Sequence, residues 1–119
     1  MSNLRITVGT TVLTATLADN PTALDFAALL PLTLTLRDYA GTEKISDLPR
    51  KLATAEAPAG YQPAAGDLTY YAPWGNLALF YKDFSYSHSL IHLGGLDAGI
   101  EALTASGADA VQVRIEQLS

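Results

Sequence analysis

The stretch Gly66-Asp67-Leu68-Thr69-Tyr70-Tyr71-Ala72-Pro73-Trp74-Gly75-Asn76-Leu77-Ala78-Leu79-Phe80-Tyr81 decides the reading of the fold. Its first half gathers β-branched and aromatic residues at Thr69, Tyr70 and Tyr71, and Pro73-Trp74-Gly75-Asn76 supplies turn chemistry. Its second half is apolar from Leu77 to Tyr81. The pattern predicts strand, tight turn, strand. In the second strand Leu77, Leu79 and Tyr81 share one face and Ala78 and Phe80 take the other, so both faces need cover. Such a strand lies centrally in a sheet or in a closed barrel.

Working outward, Leu4, Ile6 and Val8 alternate with Arg5 and Thr7. After Gly9-Thr10 the alternation resumes with Leu13, Ala15 and Leu17, which predicts a hairpin with one buried face. Asn20-Pro21 opens a helix over 22–30, with Asn as cap, Pro in the first turn and a stop near Pro31. Phe26, Leu29 and Leu30 form its apolar stripe, which calls for a sheet or barrel mouth beneath it, so the helix is expected to pack as a lid. Leu32, Leu34 and Leu36 then give a third strand that sends Arg37 and Tyr39 to the opposite face. A short strand over 43–46 precedes a long loop over 49–66, which either covers a site or is a mobile surface connection. Downstream, 97–105 predicts a second short helix carrying Ile100 and Leu103, capped by Asp97 and released at Gly107. Val111, Val113 and Ile115 mark a final strand. About six to eight strands with two short helices predict a mainly β chain, either a small barrel or a twisted sheet rolled on itself.

With 119 residues, 49% hydrophobic and 16% charged, the chain suits one domain over 1–119 with one apolar core. No apolar run approaches the ~20 residues of a membrane span. Seven Lys and Arg against twelve Asp and Glu leave a formal net charge of -5, the wrong sign for nucleic acid or an anionic membrane as partner. The absence of cysteine excludes disulfides, thiolate metal sites and cysteine nucleophiles. The first residues lack a basic n-region and an unbroken apolar run, so a cytoplasmic location is expected.

Enzyme motifs are sparse. There is no Gly-x-Ser-x-Gly elbow and no phosphate loop, and Gly94-Gly95 lacks the spacing of a dinucleotide fingerprint. His88 and His92 lie in a segment that reads as extended, where four residues separate them by roughly 13 Å, too far to share one ion. No metal and no cofactor is expected. Asp38 and Glu43 flank a turn and could converge as an acid pair, and Asp67 and Asp83 lie at the ends of the hairpin; turn and cap roles are the simpler reading of all four. The uneven feature is aromatic. Tyr61, Tyr70, Tyr71, Trp74, Phe80, Tyr81, Phe84 and Tyr86 crowd into one segment and leave only Phe26 and Tyr39 elsewhere. Such a cluster serves either as core or as a ligand groove with a wet rim.

The hairpin at the start, the Asn-Pro helix, the stretch Leu-Thr-Leu-Arg-Asp-Tyr-Ala-Gly-Thr-Glu-Lys-Ile (34–45) and above all Gly66 to Tyr81 resemble the bacterial cyclophilin-like fold family of uncharacterised proteins, over nearly the whole chain. The resemblance implies a closed, mainly antiparallel β-barrel with two short capping helices, related to that of the peptidyl-prolyl isomerases. Those enzymes hold a proline ring in an apolar pocket while an arginine hydrogen-bonds the peptide and weakens its partial double bond. Their Phe-His-Arg and Gln-Gly-Gly-Asp-Phe runs are absent here, so no catalytic residue carries over, and Arg37 is the best physical substitute.

The leading expectation is a domain that binds a peptide or small molecule in a groove beside Arg37, Tyr39, Glu43, Tyr71, Trp74 and Tyr81. A peptidyl-prolyl isomerase is the enzyme alternative, and an accessory domain beside a redox or flavodoxin-like partner is a third. Monomer and homodimer are equally compatible with the sequence.

Overall fold

The computed structural model of the protein describes residues 2–105 and 107–118. Eight strands close a barrel. In chain order they are β1 (Asn3–Val8), β2 (Thr11–Leu17), β3 (Leu32–Tyr39), β4 (Glu43–Asp47), β6 (Asp67–Tyr71), β7 (Asn76–Phe80), β9 (Leu90–Leu96) and β10 (Ala110–Leu118). Around the barrel they run β1, β10, β3, β4, β7, β6, β9, β2, and every neighbouring pair is antiparallel. Two further strands, β5 (Gly60–Tyr61) and β8 (Ser87–His88), pair with each other as a separate arm.

The alternation seen in the sequence sorts the residues. Leu4, Ile6, Val8, Leu13, Ala15, Leu17, Leu34, Leu36, Leu68, Tyr70, Leu77, Leu79, Leu93, Val113 and Ile115 fill the interior. An eight-stranded barrel has an interior just wide enough for its own side chains. Here those side chains occupy it. The second face of β7 is buried as well, in a smaller cluster of Ala78, Phe80 and Leu90 against Ile45, Tyr61 and Tyr71. Thus the two apolar faces read from Leu77 to Phe80 serve two different clusters.

Helix α1 (Pro21–Ala27) connects β2 to β3 across one mouth and places the fully buried Phe26 in the interior. Asn20 caps it by accepting from the Ala23 N–H at 2.8 Å. It ends three residues before the expected limit. Leu29 and Leu30 donate to carbonyls only three residues back, Phe26 and Ala27, because a residue before proline avoids the α conformation. Their side chains still pack on the core.

The loop between β4 and β5 proves to be neither free nor a cover for the outer face. Arg50 grips the Asp25 carboxylate on α1 with two bonds of 2.9 and 2.8 Å. Asp25 also accepts from the Ala53 N–H at 2.7 Å, and the Thr22 hydroxyl donates to the Ala53 carbonyl. The guanidinium and the amide hold the Asp25 carboxyl down to about 2. Leu52 enters the interior, with its N–H donating to the Tyr70 hydroxyl at 3.1 Å. Helix and loop together close that mouth.

At the other mouth the expected second helix is a 3-10 turn, Ile100–Leu103, entered from Gly99 at φ 85°. Asp97 is not its cap. Its carboxylate accepts from the hydroxyls of Thr14 and Thr16, both at 2.8 Å, and so clamps the end of β9 to β2. Leu103 is buried beneath the turn.

Candidate functional site

A cavity of about 440 Å³ opens on the outer face of β4, β7 and β6. Two turns wall it. The β3–β4 turn carries Ala40 and Gly41 at φ 56° and 65°, the pair of positive values a tight hairpin turn requires. It brings Tyr39 and Glu43 opposite each other on the ladder. In the β6–β7 turn Gly75 takes φ 65°, a position glycine occupies without strain, and Trp74 projects outward, 54% exposed. Phe80, Leu90 and Ile45 form the apolar floor, with Phe84 and His88 from the β8 region at the rim.

Three rings stand over this floor. The Tyr39 and Trp74 centroids are 5.5 Å apart with planes at 82°, and those of Tyr71 and Trp74 are 5.3 Å apart at 84°. Both are favourable edge-to-face pairs. Of the six residues predicted for a groove, Tyr39, Glu43, Tyr71 and Trp74 come together here.

Arg37 and Tyr81 do not line it. Arg37 shares the outer face with Tyr39 but lies in a neighbouring depression with Ile45, Ser46 and Asp47. Tyr81 belongs to a polar cluster at the barrel mouth, where its hydroxyl donates a very short hydrogen bond to Asp38. Burial and the Asp38 charge push the Tyr81 phenol up to about 12. Beside them Lys44, only 3% exposed, lies 3.7 Å from Asp38 and donates to the Ala108 carbonyl at 3.1 Å. Donation by Tyr81, supported by the Gly41 N–H and Lys44, lowers the Asp38 carboxyl below its usual range.

Asp38 and Glu43 accordingly do not converge. Asp38 pairs across the ladder with Lys44, and Glu43 with Tyr39, so successive positions send the two carboxyls to opposite sides of the wall. Asp67 accepts from the Tyr61 hydroxyl at 2.7 Å and the Ala64 N–H at 2.8 Å, and Asp83 accepts from the Ala65 N–H at 2.9 Å. Both are turn anchors. His92 stacks on Tyr61 at 4.8 Å and lies 3.6 Å from Asp67, whereas His88 meets the Tyr86 ring edge-on at 5.3 Å. The two histidines share no ligand position.

Two residues that line the cavity carry polar groups without protein partners among the described residues. Asn76 is 3% exposed, and its Oδ1 is buried without a hydrogen bond. Leaving such an acceptor unpaired costs about 1–3 kcal/mol. The Glu43 carboxyl makes no ion pair or hydrogen bond, and burial alone pushes it up to about 7 from an ordinary 4.5. A folded value above the unfolded one means that the folded protein holds the extra proton between those limits. The contribution of Glu43 to stability therefore falls as pH rises from 4.5 to 7, with the loss complete above 7. Glu43→Gln is expected to raise stability by ~1 kcal/mol at about pH 8, a figure discounted for the partial exposure of the carboxyl, and by nothing measurable at about pH 4. Urea unfolding at the two pH values checks this, and equal effects at both would contradict it.

Asn76, Phe80, Phe84, His88, Leu90 and Ile45 were not among the predicted groove residues. The available signal was the doubly apolar β7, whose second face needed partners outside the barrel. Asn76 reads as a turn residue in sequence, and its burial follows from its place opposite Asp47 and Tyr71 in the ladders.

The comparisons with known proteins agree with this architecture. A family model described as the cyclophilin-like family matches residues 6–116. Among solved structures, the solution structure of a hypothetical protein from Archaeoglobus fulgidus superposes with a TM-score of 0.65 at 15% sequence identity. The match covers 98% of this chain and 95% of that one, a likeness of fold. No curated protein matches the chain.

Proposed function

Because the chain belongs to the cyclophilin-like family, whose barrel assigns no activity by itself, we propose from the outer cavity that it is a binding domain for a small ligand or a short peptide. The observation that supports this reading is a cavity walled by aromatic side chains whose lining includes Asn76, with a buried, unpartnered Oδ1. A mostly apolar pocket of a few hundred Å³ with a small number of convergent polar groups is the usual form of a ligand site. Core packing alone has no use for an orphaned acceptor.

Trp74 is the only tryptophan and stands in the wall, so its fluorescence reports occupancy directly. Tyr71→Ala is expected to weaken any ligand that shifts Trp74 emission by at least tenfold, since a buried aromatic wall contributes roughly 1.5–3 kcal/mol. An unchanged affinity would remove the cavity as the site. In a coupled cis/trans assay on Xaa-Pro peptides no acceleration is expected, because Arg37 lies outside the cavity. Turnover that disappears in Arg37→Ala would replace the binding reading with the isomerase one.

A further inference from the structure

We propose that the ligand of this cavity is an alkylammonium ion bearing N–H donors, either a free amine or a lysine side chain of a peptide. The inference rests on the binding reading above and specifies its chemistry.

The unpartnered polar groups of the site lead to it. Asn76 Oδ1 accepts hydrogen bonds, and the Glu43 carboxylate accepts them and carries charge. Both lack a protein donor among the described residues. No lysine or arginine lines the cavity. The nearest lysine in sequence, Lys44, is on the other face of β4, engaged with Asp38 and the Ala108 carbonyl. A ligand that supplied more acceptors, or a negative charge, would leave these groups worse off.

The rings agree with the charge. Tyr39 and Tyr71 both stand nearly perpendicular to Trp74, so the three rings that line the cavity turn their faces in more than one direction. A cation within about 6 Å of such faces is attracted by their quadrupoles, most strongly by tryptophan. Aromatic faces alone would accept a quaternary ammonium equally. The buried Asn76 Oδ1 adds the demand for an N–H, which a primary or secondary ammonium meets and a quaternary one does not. The apolar floor of Phe80, Leu90 and Ile45 takes the alkyl chain. A net charge of -5 favours approach of a cation over long range.

The test is a titration of the whole protein at about pH 8, read by Trp74 fluorescence and by calorimetry, with five probes up to ~10 mM. They are n-butylammonium, N-acetyl-lysine methylamide, tetramethylammonium, n-pentanol and pentanoate. The first two should bind, one exceeding the other according to whether the source is a free amine or a peptide lysine. Tetramethylammonium and pentanol should be at least ten times weaker, and pentanoate should not bind. Glu43→Gln, which is expected to fold at least as stably, should weaken the two ammonium probes about tenfold and leave pentanol unchanged. If pentanol or pentanoate binds as well as butylammonium, or Glu43→Gln has no effect on the amines, the cation assignment is overturned while the binding reading stands. If the amines fail and a proline or other neutral peptide binds, the result is the same. If no probe or peptide binds, both readings fall.

Discussion

Gly94→Ala is expected to destabilise the protein by ~3 kcal/mol or more and to part β9 from β2. A Cβ at Gly94 would collide with the backbone carbonyl oxygen of Thr16 and come within 3.1 Å of the Leu17 Cα. Neither neighbour is the tip of a movable side chain. The β2–β9 ladder is short, pairing Ala15 with Leu96, Thr16 with Gly95 and Leu17 with Gly94 between one flanking backbone bond at each end, so a shift of one strand there loosens the closure of the barrel. Gly95→Ala is the control. Its Cβ would meet nothing nearer than 3.7 Å, an ordinary contact with Asp67 and the Gly66 carbonyl, and an effect below about 1 kcal/mol is expected. Urea unfolding separates the two glycines, and amide exchange along β2 and β9 locates the opening. Equal losses for both would refute the account of the seam.

Phe26→Ala should cost ~3–5 kcal/mol, a large part of the 5–15 kcal/mol typical of a domain. The ring is fully buried under α1 in the interior cluster. The bonds from Thr22 and Asp25 to Arg50 and Ala53 fasten α1 to the loop that carries Leu52. The cavity left by the ring is therefore roofed by elements that are tied in place and cannot easily collapse into it. Leu24 lies on the same helix, 54% exposed, and Leu24→Ala should fall within about 0.5 kcal/mol of the parent. Similar midpoints for the two variants in chemical denaturation would mean that α1 does not plug the mouth.

How legible this was in the sequence differs between residues. Period-two alternation announced β1, β2, β3 and β10 because each has one buried face. The run from Leu77 to Phe80 announced the central β7 because both of its faces are apolar. The Asn20 cap was legible because its chemistry is local. Asp97 was not, since Thr14 and Thr16, which take its carboxylate, are more than eighty residues away in sequence. β5 and β8 have two residues each, too few to show a period. In the cavity, Tyr39, Glu43, Tyr71 and Trp74 were found through aromatic crowding and face assignment. Arg37 was placed on the correct face, but a strand position two residues further along belongs to another depression. Tyr81 continues the face of Leu77 and Leu79, as the alternation has it, and meets Asp38 and Lys44 at the mouth, so the pattern itself separates it from Phe80 and the outer groove.

The ring order of the strands also sets the order of events during synthesis. Of the eight barrel strands β10 is the last to leave the ribosome, yet it sits between β1 and β3, with Asn3 opposite Leu118 on one side and Ala110 opposite Arg37 on the other. Until residues 110–118 emerge, the nascent chain holds two unpaired strand edges on either side of a gap. An incomplete chain is then an open, sticky sheet that invites pairing with a second copy. Closure waits for contacts between the most distant parts of the sequence, which places folding in the slow millisecond-to-second range of non-local β topologies. The finished barrel has no such edge, so the hazard ends when β10 is inserted.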